Sequence, residues 1–379
     1  MLRKFLTTCV VLNTFYLAFS QTNSVDQVKT DATVPTATVE AAPAATEDVK
    51  PTPTISGSVD AYYRYNFSNV QAYAHSNNFT SFTNSQNSFE LGMASLRADH
   101  TFGKASATID VGFGKRAEEF SYANPSNPSL FAVKQAYLSY AISDKFKLTM
   151  GKWATHIGYE LVDAYLNRNY SMDYMFSYGP FSHTGLKADV GLGGKSAFMI
   201  GVANTSDSVS STVSPKFVLA QFSTASADNN LKAYLNFQAG SNASFYKLVQ
   251  GDVVLTYMVT DKFNVGYNGT IQSRKVKDEA TNKYGDAKSW WGSALYFNYD
   301  PESTFGITLR GEYFSDKKNV IGFNTSIFDL TLSPNIKVGN LTIIPELRLD
   351  AAKDEIFQKN SGAGTKSTVT GILAATYHF

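Results

Sequence analysis

Apolar and polar residues alternate along most of this chain, from residue 54 to the last position. The first alternating segment places Ile55, Val59 and Tyr63 on one face and Asp60 and Arg64 on the other. Successive side chains of a β-strand point to opposite faces, so the pattern predicts strands with one apolar and one polar face. Sixteen strands are predicted, at residues 54–67, 87–101, 105–115, 131–142, 145–153, 182–192, 196–203, 216–226, 230–240, 248–259, 262–273, 289–300, 303–314, 321–333, 341–352 and 367–379.

The connections between these strands alternate between short and long. The short ones contain the Gly, Asn, Asp or Pro that tight turns require, and they lie at residues 102–104, 143–145, 193–195, 227–229, 260–262, 300–302 and 335–340. The long ones lie at residues 68–86, 116–130, 154–181, 204–215, 241–247, 274–288, 315–320 and 353–366. Short turns at one end and long loops at the other are typical of outer-membrane β-barrels, with the turns on the periplasmic side. A secreted β-sandwich is the alternative, but its loops would not separate by length.

The amino terminus predicts export from the cytoplasm. Arg3 and Lys4 precede an apolar run of about 15 residues, which is shorter than the roughly 20 residues of a membrane-spanning helix. Together with a small-x-small cleavage site, this predicts a signal peptide over residues 1–20, with an uncleaved anchor as the alternative. Residues 21–53 are rich in Thr, Ala, Pro and Glu and are expected to form a disordered periplasmic leader. Residues 54–379 are then the barrel domain.

Composition narrows the class of protein further. Charged residues make up 17% of the chain and aromatic residues 14%, whereas soluble domains average about 25% charged residues. Of 33 Lys and Arg, 31 remain after Arg3 and Lys4 are removed with the signal, against 32 Asp and Glu. That balance argues against nucleic acid as a partner, because phosphate binding requires a basic excess. The single cysteine, Cys9, lies within the signal, so disulfides and thiolate metal sites are not expected.

The last predicted strand supports a closed barrel. It places Gly371, Leu373, Ala375, Tyr377 and Phe379 on one face, and we expect the barrel-assembly machinery to bind the chain through this strand and its aromatic end. The sheet must close, because backbone groups left unpaired in hydrocarbon are too costly. About sixteen strands are enough to surround a water-filled lumen. One irregularity is a phase slip around residues 93–96, where we expect a β-bulge.

The polar strand faces predict which charges line the lumen. They comprise seven basic and seven acidic residues: Arg64, Arg97, Lys147, Lys187, Lys232, Arg310 and Arg348 with Asp60, Asp99, Asp110, Asp189, Glu312, Glu346 and Asp350. A balanced lining sets no strong barrier of either sign and predicts weak ion selectivity. The alternative is that these charges pair across strands and only stiffen the wall.

The stretch from Gly151 to Gly185 interrupts the alternation and contains the third long gap. In trimeric general porins the third external loop folds inward and narrows the pore, and we expect the same here. The candidate constriction residues carry charged or imidazole side chains that would set a transverse field: Lys152, His156, Glu160, Asp163, Arg168, Asp173 and His183. The aromatic residues of the stretch are expected to pack it against the wall, with stacking on sugar rings as the alternative: Tyr165, Tyr170, Tyr174, Phe176 and Tyr178. Residues 158–167 have the spacing of a short helix.

Two motifs in this stretch carry a resemblance to a known family. The sequence GKW-x-x-x-IG-Y-E begins at Gly151, and PFSHTG follows it at Pro180. Together with most of residues 54–379, they resemble the OmpL-like β-barrel porin family. The resemblance implies an outer-membrane porin. It says little about the solute.

The predicted function is a water-filled channel in the outer membrane of a Gram-negative bacterium. Small hydrophilic solutes would diffuse through it passively, the wall would contact outer-membrane lipid, and a homotrimer is one assembly considered. No GxSxG or HExxH motif accompanies the five histidines, so neither enzymatic activity nor a cofactor is expected. An adhesin or an outer-membrane enzyme on the same barrel is the alternative function. An energy-coupled receptor would need 22 strands and a plug larger than the 33-residue leader.

Overall fold

The computed structural model describes residues 51–70, 76–121, 132–211, 215–242 and 245–379. The predicted signal peptide and nearly all of the predicted leader lie outside these ranges. None of the described residues belongs to a helix with the length and apolar character needed to cross a membrane.

Sixteen antiparallel strands form one closed barrel. They are β1 (Thr54–Asn66), β2 (Ser88–Phe102), β3 (Ala105–Phe113), β4 (Val133–Ser143), β5 (Phe146–Ala154), β6 (Ser182–Gly193), β7 (Ser196–Ala203), β8 (Phe217–Ala225), β9 (Leu231–Asn242), β10 (Tyr246–Thr260), β11 (Phe263–Val276), β12 (Lys288–Glu302), β13 (Phe305–Ser315), β14 (Ser326–Val338), β15 (Leu341–Ala352) and β18 (Ser367–His378). A two-stranded hairpin, β16 (Phe357–Gln358) with β17 (Gly364–Thr365), lies in the last long loop. Each barrel strand pairs with its neighbours along the chain, and β1 pairs with β18. The predicted fold class is confirmed.

The alternating pattern places apolar side chains outside the barrel and polar ones inside. On β1, Val59 is 45% exposed while the adjacent Asp60 is 3% exposed. On β14, Leu330 is 37% exposed whereas Asp329 and Thr331 are fully buried. An apolar outer surface is stable only against lipid, so the distribution matches a wall that spans a membrane.

The two ends of the barrel domain close the wall. Phe379 and Gly57 exchange two backbone hydrogen bonds of 3.0 Å, one from each N–H to the carbonyl of the other residue. From there the register continues along β1 and β18 to the pair formed by Asn66 and Thr370. Closure therefore leaves no free sheet edge in hydrocarbon.

A β-bulge interrupts the pairing of β1 with β2, close to where the apolar phase slips. Asp60 lies opposite Met93 and Ala61 lies opposite Leu91, so Gly92 is the extra residue. A Cβ atom at Gly92 would lie 1.8 Å from Oδ2 of Asp60 and 2.6 Å from the Tyr170 hydroxyl, so a larger residue here would displace both groups. The bulge was expected between residues 93 and 96, and the structure places it just before that interval.

Three local predictions are wrong. The fourteenth strand was predicted at residues 321–333 and a turn at 335–340, but β14 continues through Pro334 to Val338 and turns only at Gly339. The third strand was predicted to reach residue 115, but Lys115–Phe120 form a helix, α1. The predicted helix over residues 158–167 is reduced to a 3-10 turn, and the stretch instead forms a short helix, α2, at Tyr174–Tyr178.

Candidate functional site: the segment inside the barrel

The connection between β5 and β6 lies inside the barrel. We call residues 155–181 the lumen segment. Its Tyr170 hydroxyl donates to Oδ2 of Asp60 on β1 at 2.6 Å, and its Tyr174 hydroxyl donates to Oδ1 of Asp350 on β15 at 2.9 Å. Both acceptors face inward, and several strands of the barrel separate β1 and β15 from β5 and β6. The segment therefore crosses the lumen.

Wall carboxylates hold the backbone of the lumen segment. Glu346 on β15 accepts the N–H groups of Tyr170 at 2.7 Å and Ser171 at 3.1 Å. Glu312 on β13 accepts those of Tyr174 at 2.7 Å and Met175 at 2.9 Å. Buried backbone donors need acceptors, and hydrogen bonds to charged groups are the stronger kind. These two carboxylates therefore act as clamps.

Two wall arginines hold carbonyl groups between the clamps. Nη1 of Arg310 on β13 donates to the Ser171 carbonyl at 2.7 Å, and Nη1 of Arg348 on β15 donates to the Met172 carbonyl at 2.6 Å. Both arginines also pair with Asp329, at 3.4 and 2.6 Å respectively. Donors and acceptors thus alternate on the wall to match the backbone of residues 170–175.

The opposite side of the lumen segment is held from α1 and β4. Arg116 donates to the carbonyls of Val162 and Tyr170 at 3.4 and 3.3 Å, and its guanidinium lies over the Tyr170 ring. Lys134 donates to Asp163 at 2.5 Å and lies 3.1 Å from Asp110. Arg116 was not among the predicted site residues, because its region was expected to be an external loop.

The two ends of the lumen segment are anchored by other carboxylates. At the start, Oδ1 of Asp252 on β10 accepts the Gly158 N–H at 3.1 Å. At the end, Oδ1 of Asp207 accepts the N–H groups of Phe181 and Ser182 at 2.7 and 2.8 Å. Asp207 follows β7, outside the strands, and burial raises the pKa of its carboxyl group to about 7.

The aromatic residues of the stretch mostly pack against other protein groups. Tyr170 packs on Tyr62 with ring centroids 5.2 Å apart, and Phe176 stacks on Phe181 at 5.2 Å. Tyr174, stacked on Phe314, is 1% exposed. These rings fix the segment in place and leave little surface for stacking on sugar rings. Tyr165 differs, since it is partly exposed and stacks on His378 of the last strand.

The predicted constriction residues are brought together, but most are engaged with the protein itself. Glu160 accepts a hydrogen bond from Arg310 at 2.6 Å, and Asp173 accepts one from the Tyr296 hydroxyl at 2.8 Å. Arg168 pairs with Asp300, and Asp163 with Lys134 as described above. A transverse field at a constriction requires charges exposed to the passing solute. These four charges instead stabilise the fold of the segment.

The three remaining constriction candidates lie at the base of the segment. Lys152 belongs to β5 and donates to the Val133 carbonyl at 2.7 Å. His183 belongs to β6, and its ring centroid lies 5.2 Å from that of His156. Nε2 of His156 lies 3.2 Å from the Phe237 carbonyl. Among the described residues, no group of three or more His, Cys, Asp and Glu side chains is arranged to hold a metal ion.

The predicted lining residues divide into two sets by exposure. The larger set faces inward and is buried under the lumen segment or among other wall residues: Asp60, Arg64, Asp110, Lys187, Asp189, Arg310, Glu312, Glu346, Arg348 and Asp350. The smaller set stays partly exposed toward the short-turn end: Arg97, Asp99, Lys147 and Lys232. Arg97 and Asp99 form a 2.7 Å ion pair. Sequence reasoning missed several inward charges: Arg116, Lys134, Asp252, Asp300, Asp329 and Lys337.

The family assignment follows from the whole barrel domain. A family model described as "Putative beta-barrel porin-2, OmpL-like" matches residues 53–379. The chain belongs to this family. The resemblance noted from the motifs at Gly151 and Pro180 is therefore confirmed, and the barrel is that of an outer-membrane porin.

Solved bacterial β-barrels have the same fold. The anion-selective porin from Comamonas acidovorans aligns with a TM-score of 0.55 at 12% identity, covering 87% of this chain and all of its own. The outer membrane channel DcaP of Acinetobacter baumannii aligns with a TM-score of 0.54 at 12% identity, covering 88% and 99%. OmpT of Vibrio cholerae aligns with a TM-score of 0.54 at 9% identity, also covering 88% and 99%. These identities establish the fold alone. No curated protein matches the sequence significantly.

Proposed function

We propose that the protein is a passive outer-membrane channel for small hydrophilic solutes, with its permeability set by the lumen segment. The observation that carries this proposal is the set of clamps. Glu312, Glu346, Arg310 and Arg348 bind the backbone of residues 170–175 from the barrel wall. A segment held by charge-assisted bonds among buried side chains stays in place as solutes pass, because its release would leave several buried polar groups unpaired.

The clamps also support a narrower passage than that of a general porin. At the level of Glu346 the lumen contains packed protein, since Tyr170, Met172 and Asp173 are fully buried. Space accessible to water lies nearer the short-turn end, where Lys147 and Lys232 keep partial exposure. We therefore expect a wide periplasmic vestibule that leads to a narrow passage beside the segment.

The weak ion selectivity expected from the sequence stays a prediction. It rested on seven charges of each sign facing the solute, whereas most of those side chains are buried. In the proposed channel, only charges near the remaining space act on a passing ion.

The proposed setting is the outer membrane of a Gram-negative bacterium. The chain would be exported with a cleaved signal peptide over residues 1–20, and residues 21–53 would remain as a periplasmic leader. The barrel-assembly machinery would bind β18 through Phe379, and association into a homotrimer is the proposed assembly. The barrel carries no proposed enzymatic role and no cofactor.

The test is conduction by the purified protein. Planar bilayers should show discrete conductance steps, and liposomes should swell in small sugars and amino acids with a lower size limit than a general porin gives. Heat-dependent gel migration confirms beforehand that the barrel is folded. A folded barrel that gives no conductance steps and no swelling would contradict the channel and favour an adhesin.

A further inference from the structure

Two prolines face each other where the pairing of β14 with β15 is interrupted. On β14 the pairing stops after Leu332 and resumes at Ile336, and the register places Pro334 opposite Pro345. No register pair joins residues 333–335 to residues 344–346, all of which the structure describes. We call these six residues the seam. A strand residue directs its N–H and C=O groups to the same neighbour. Because Pro334 pairs normally with β13 and Pro345 with β18, the backbone of both prolines points into the seam.

The carbonyl groups of the two prolines receive no ladder hydrogen bond within the described sheet. Each is able to accept one, but the donor opposite it would be the N–H that the other proline lacks. The pair also lies inside the apolar band of the wall. Between it and the turn at Gly339, Ile336 and Val338 are 41% and 63% exposed on the outer face. An unpaired carbonyl in hydrocarbon is costly, so the seam presents two acceptors that need a donor.

A groove on the outer wall lies over the seam. Its volume is about 670 Å³, within the range of ligand pockets. It is lined by residues that project little, Pro334, Pro345 and Gly371, and by larger apolar side chains that include Tyr63 of β1. Glu346 also lines the groove, although its side chain binds the lumen segment on the inner face. The groove therefore reaches the backbone of the seam.

The edge of the groove on β1 is fixed by contacts of its own. The Tyr63 hydroxyl donates to Oδ1 of Asn87 at 2.6 Å, and the Tyr63 ring packs on Phe89 with centroids 4.7 Å apart. The Phe67 ring lies beside Gly371, where a Cβ atom would be 3.5 Å from it. That distance is an ordinary contact, so glycine keeps this part of the groove open without being required by the backbone.

Shape and chemistry favour a chain-like occupant. The groove crosses β14, β15, β18 and β1, which is about 14 Å at the usual spacing of neighbouring strands. A second barrel presents a convex wall, which would leave a hollow of this length unfilled. Residues 21–53 are too polar to stay in a groove that faces hydrocarbon. An acyl chain follows such a groove, and because the seam lies inside the apolar band, the donor must be on the chain.

We propose that the groove binds an acyl chain that carries a hydroxyl group along its length, and that this hydroxyl donates to a carbonyl of the proline pair. The apolar part of the chain then lies against Gly371 and the rings of β1. The site is on the lipid-facing wall, so it does not depend on conduction through the lumen.

Binding of 12-hydroxystearic acid and stearic acid to the purified barrel in detergent tests the site, with native mass spectrometry as the readout. The hydroxylated acid should bind about fivefold more tightly, the effect of one net hydrogen bond. Gly371→Leu should weaken binding of both acids roughly tenfold by filling the groove. Gly251→Leu, at an open glycine on the outer face of β10, should change neither. Equal affinity for the two acids in the wild type, or unchanged binding in Gly371→Leu, would overturn the proposal. So would a change of oligomer size in Gly371→Leu, which would assign the groove to a second copy.

Restoring the missing N–H groups tests the role of the seam. The double variant Pro334→Val with Pro345→Val supplies both ladder donors on the same wall. Its preference for the hydroxylated acid should disappear while its affinity for stearic acid stays at the wild-type value, and heat-dependent gel migration shows that the barrel is closed. A closed double variant that still prefers the hydroxylated acid about fivefold would overturn the hydrogen bond to the proline carbonyls.

Discussion

Removing one clamp should release part of the lumen segment. Glu346→Ala leaves the N–H groups of Tyr170 and Ser171 without their acceptor in a buried site. Each unsatisfied buried donor costs about 1–3 kcal/mol, so the attachment should weaken by about 2–6 kcal/mol. Glu346→Gln keeps one side-chain oxygen as an acceptor and should cost about half as much.

Single-channel recording in planar bilayers measures this release. We expect frequent transitions to a larger conductance level in Glu346→Ala, fewer in Glu346→Gln, and none beyond the wild-type frequency in Glu355→Ala, which changes an exposed carboxylate. Heat-dependent gel migration must show that each barrel is closed. If a folded Glu346→Ala channel kept wild-type conductance and noise, the clamps would not hold the segment in the way that the contacts imply.

Three further predictions concern assembly, the anchor and the lipid-facing wall. Phe379→Ala keeps the two backbone hydrogen bonds to Gly57 and should refold in detergent like the wild type. Its assembly in cells should fall several-fold, as measured by its abundance in the outer membrane. Equal abundance would contradict the proposed binding of the assembly machinery through Phe379. The raised pKa of Asp207 means that the folded state binds the proton more tightly than the unfolded chain, so stability should decrease as the pH rises from about 4 to about 7 and then level off. Urea unfolding should show a flatter profile for Asp207→Asn, and an unchanged slope would refute the assignment. Leu309→Arg, in the middle of β13, should destabilise the barrel by about 2–4 kcal/mol, against about 0–1 for Phe102→Arg beside a turn, and equal losses would contradict the membrane placement.

The barrel could be predicted from the sequence because its cause is local. Every strand separates lipid from the lumen, so each one carries the alternation in its own residues, as Val59 and Asp60 do on β1. The predicted strand bounds were wrong where a residue type fits both a turn and a strand. Pro334 and the residue after it are typical of a turn, yet Pro334 lies within β14, where only its carbonyl can join the ladder.

The position of the internal site could be predicted from the sequence, but the contacts that hold it could not. Composition marked the stretch from Gly151 to Gly185, while the contacts that hold it join residues far apart in the chain. Glu346 binds the backbone of a residue 176 positions earlier. A backbone N–H is the same in every residue except proline, so no sequence pattern identifies which one a wall carboxylate will hold. The predicted constriction and lining charges were therefore expected to face the solute, whereas many of them hold the lumen segment in place.

Deleting the middle of the lumen segment tests the central claim most directly. Residues 160–176 would be replaced by a short glycine linker, and single-channel conductance and the size limit of liposome swelling would be compared with the wild type. Both should rise, because the protein that fills the lumen at the level of Glu346 is gone. If a closed, heat-modifiable barrel of this variant kept the conductance and size limit of the wild type, the segment would not be what controls passage through the channel.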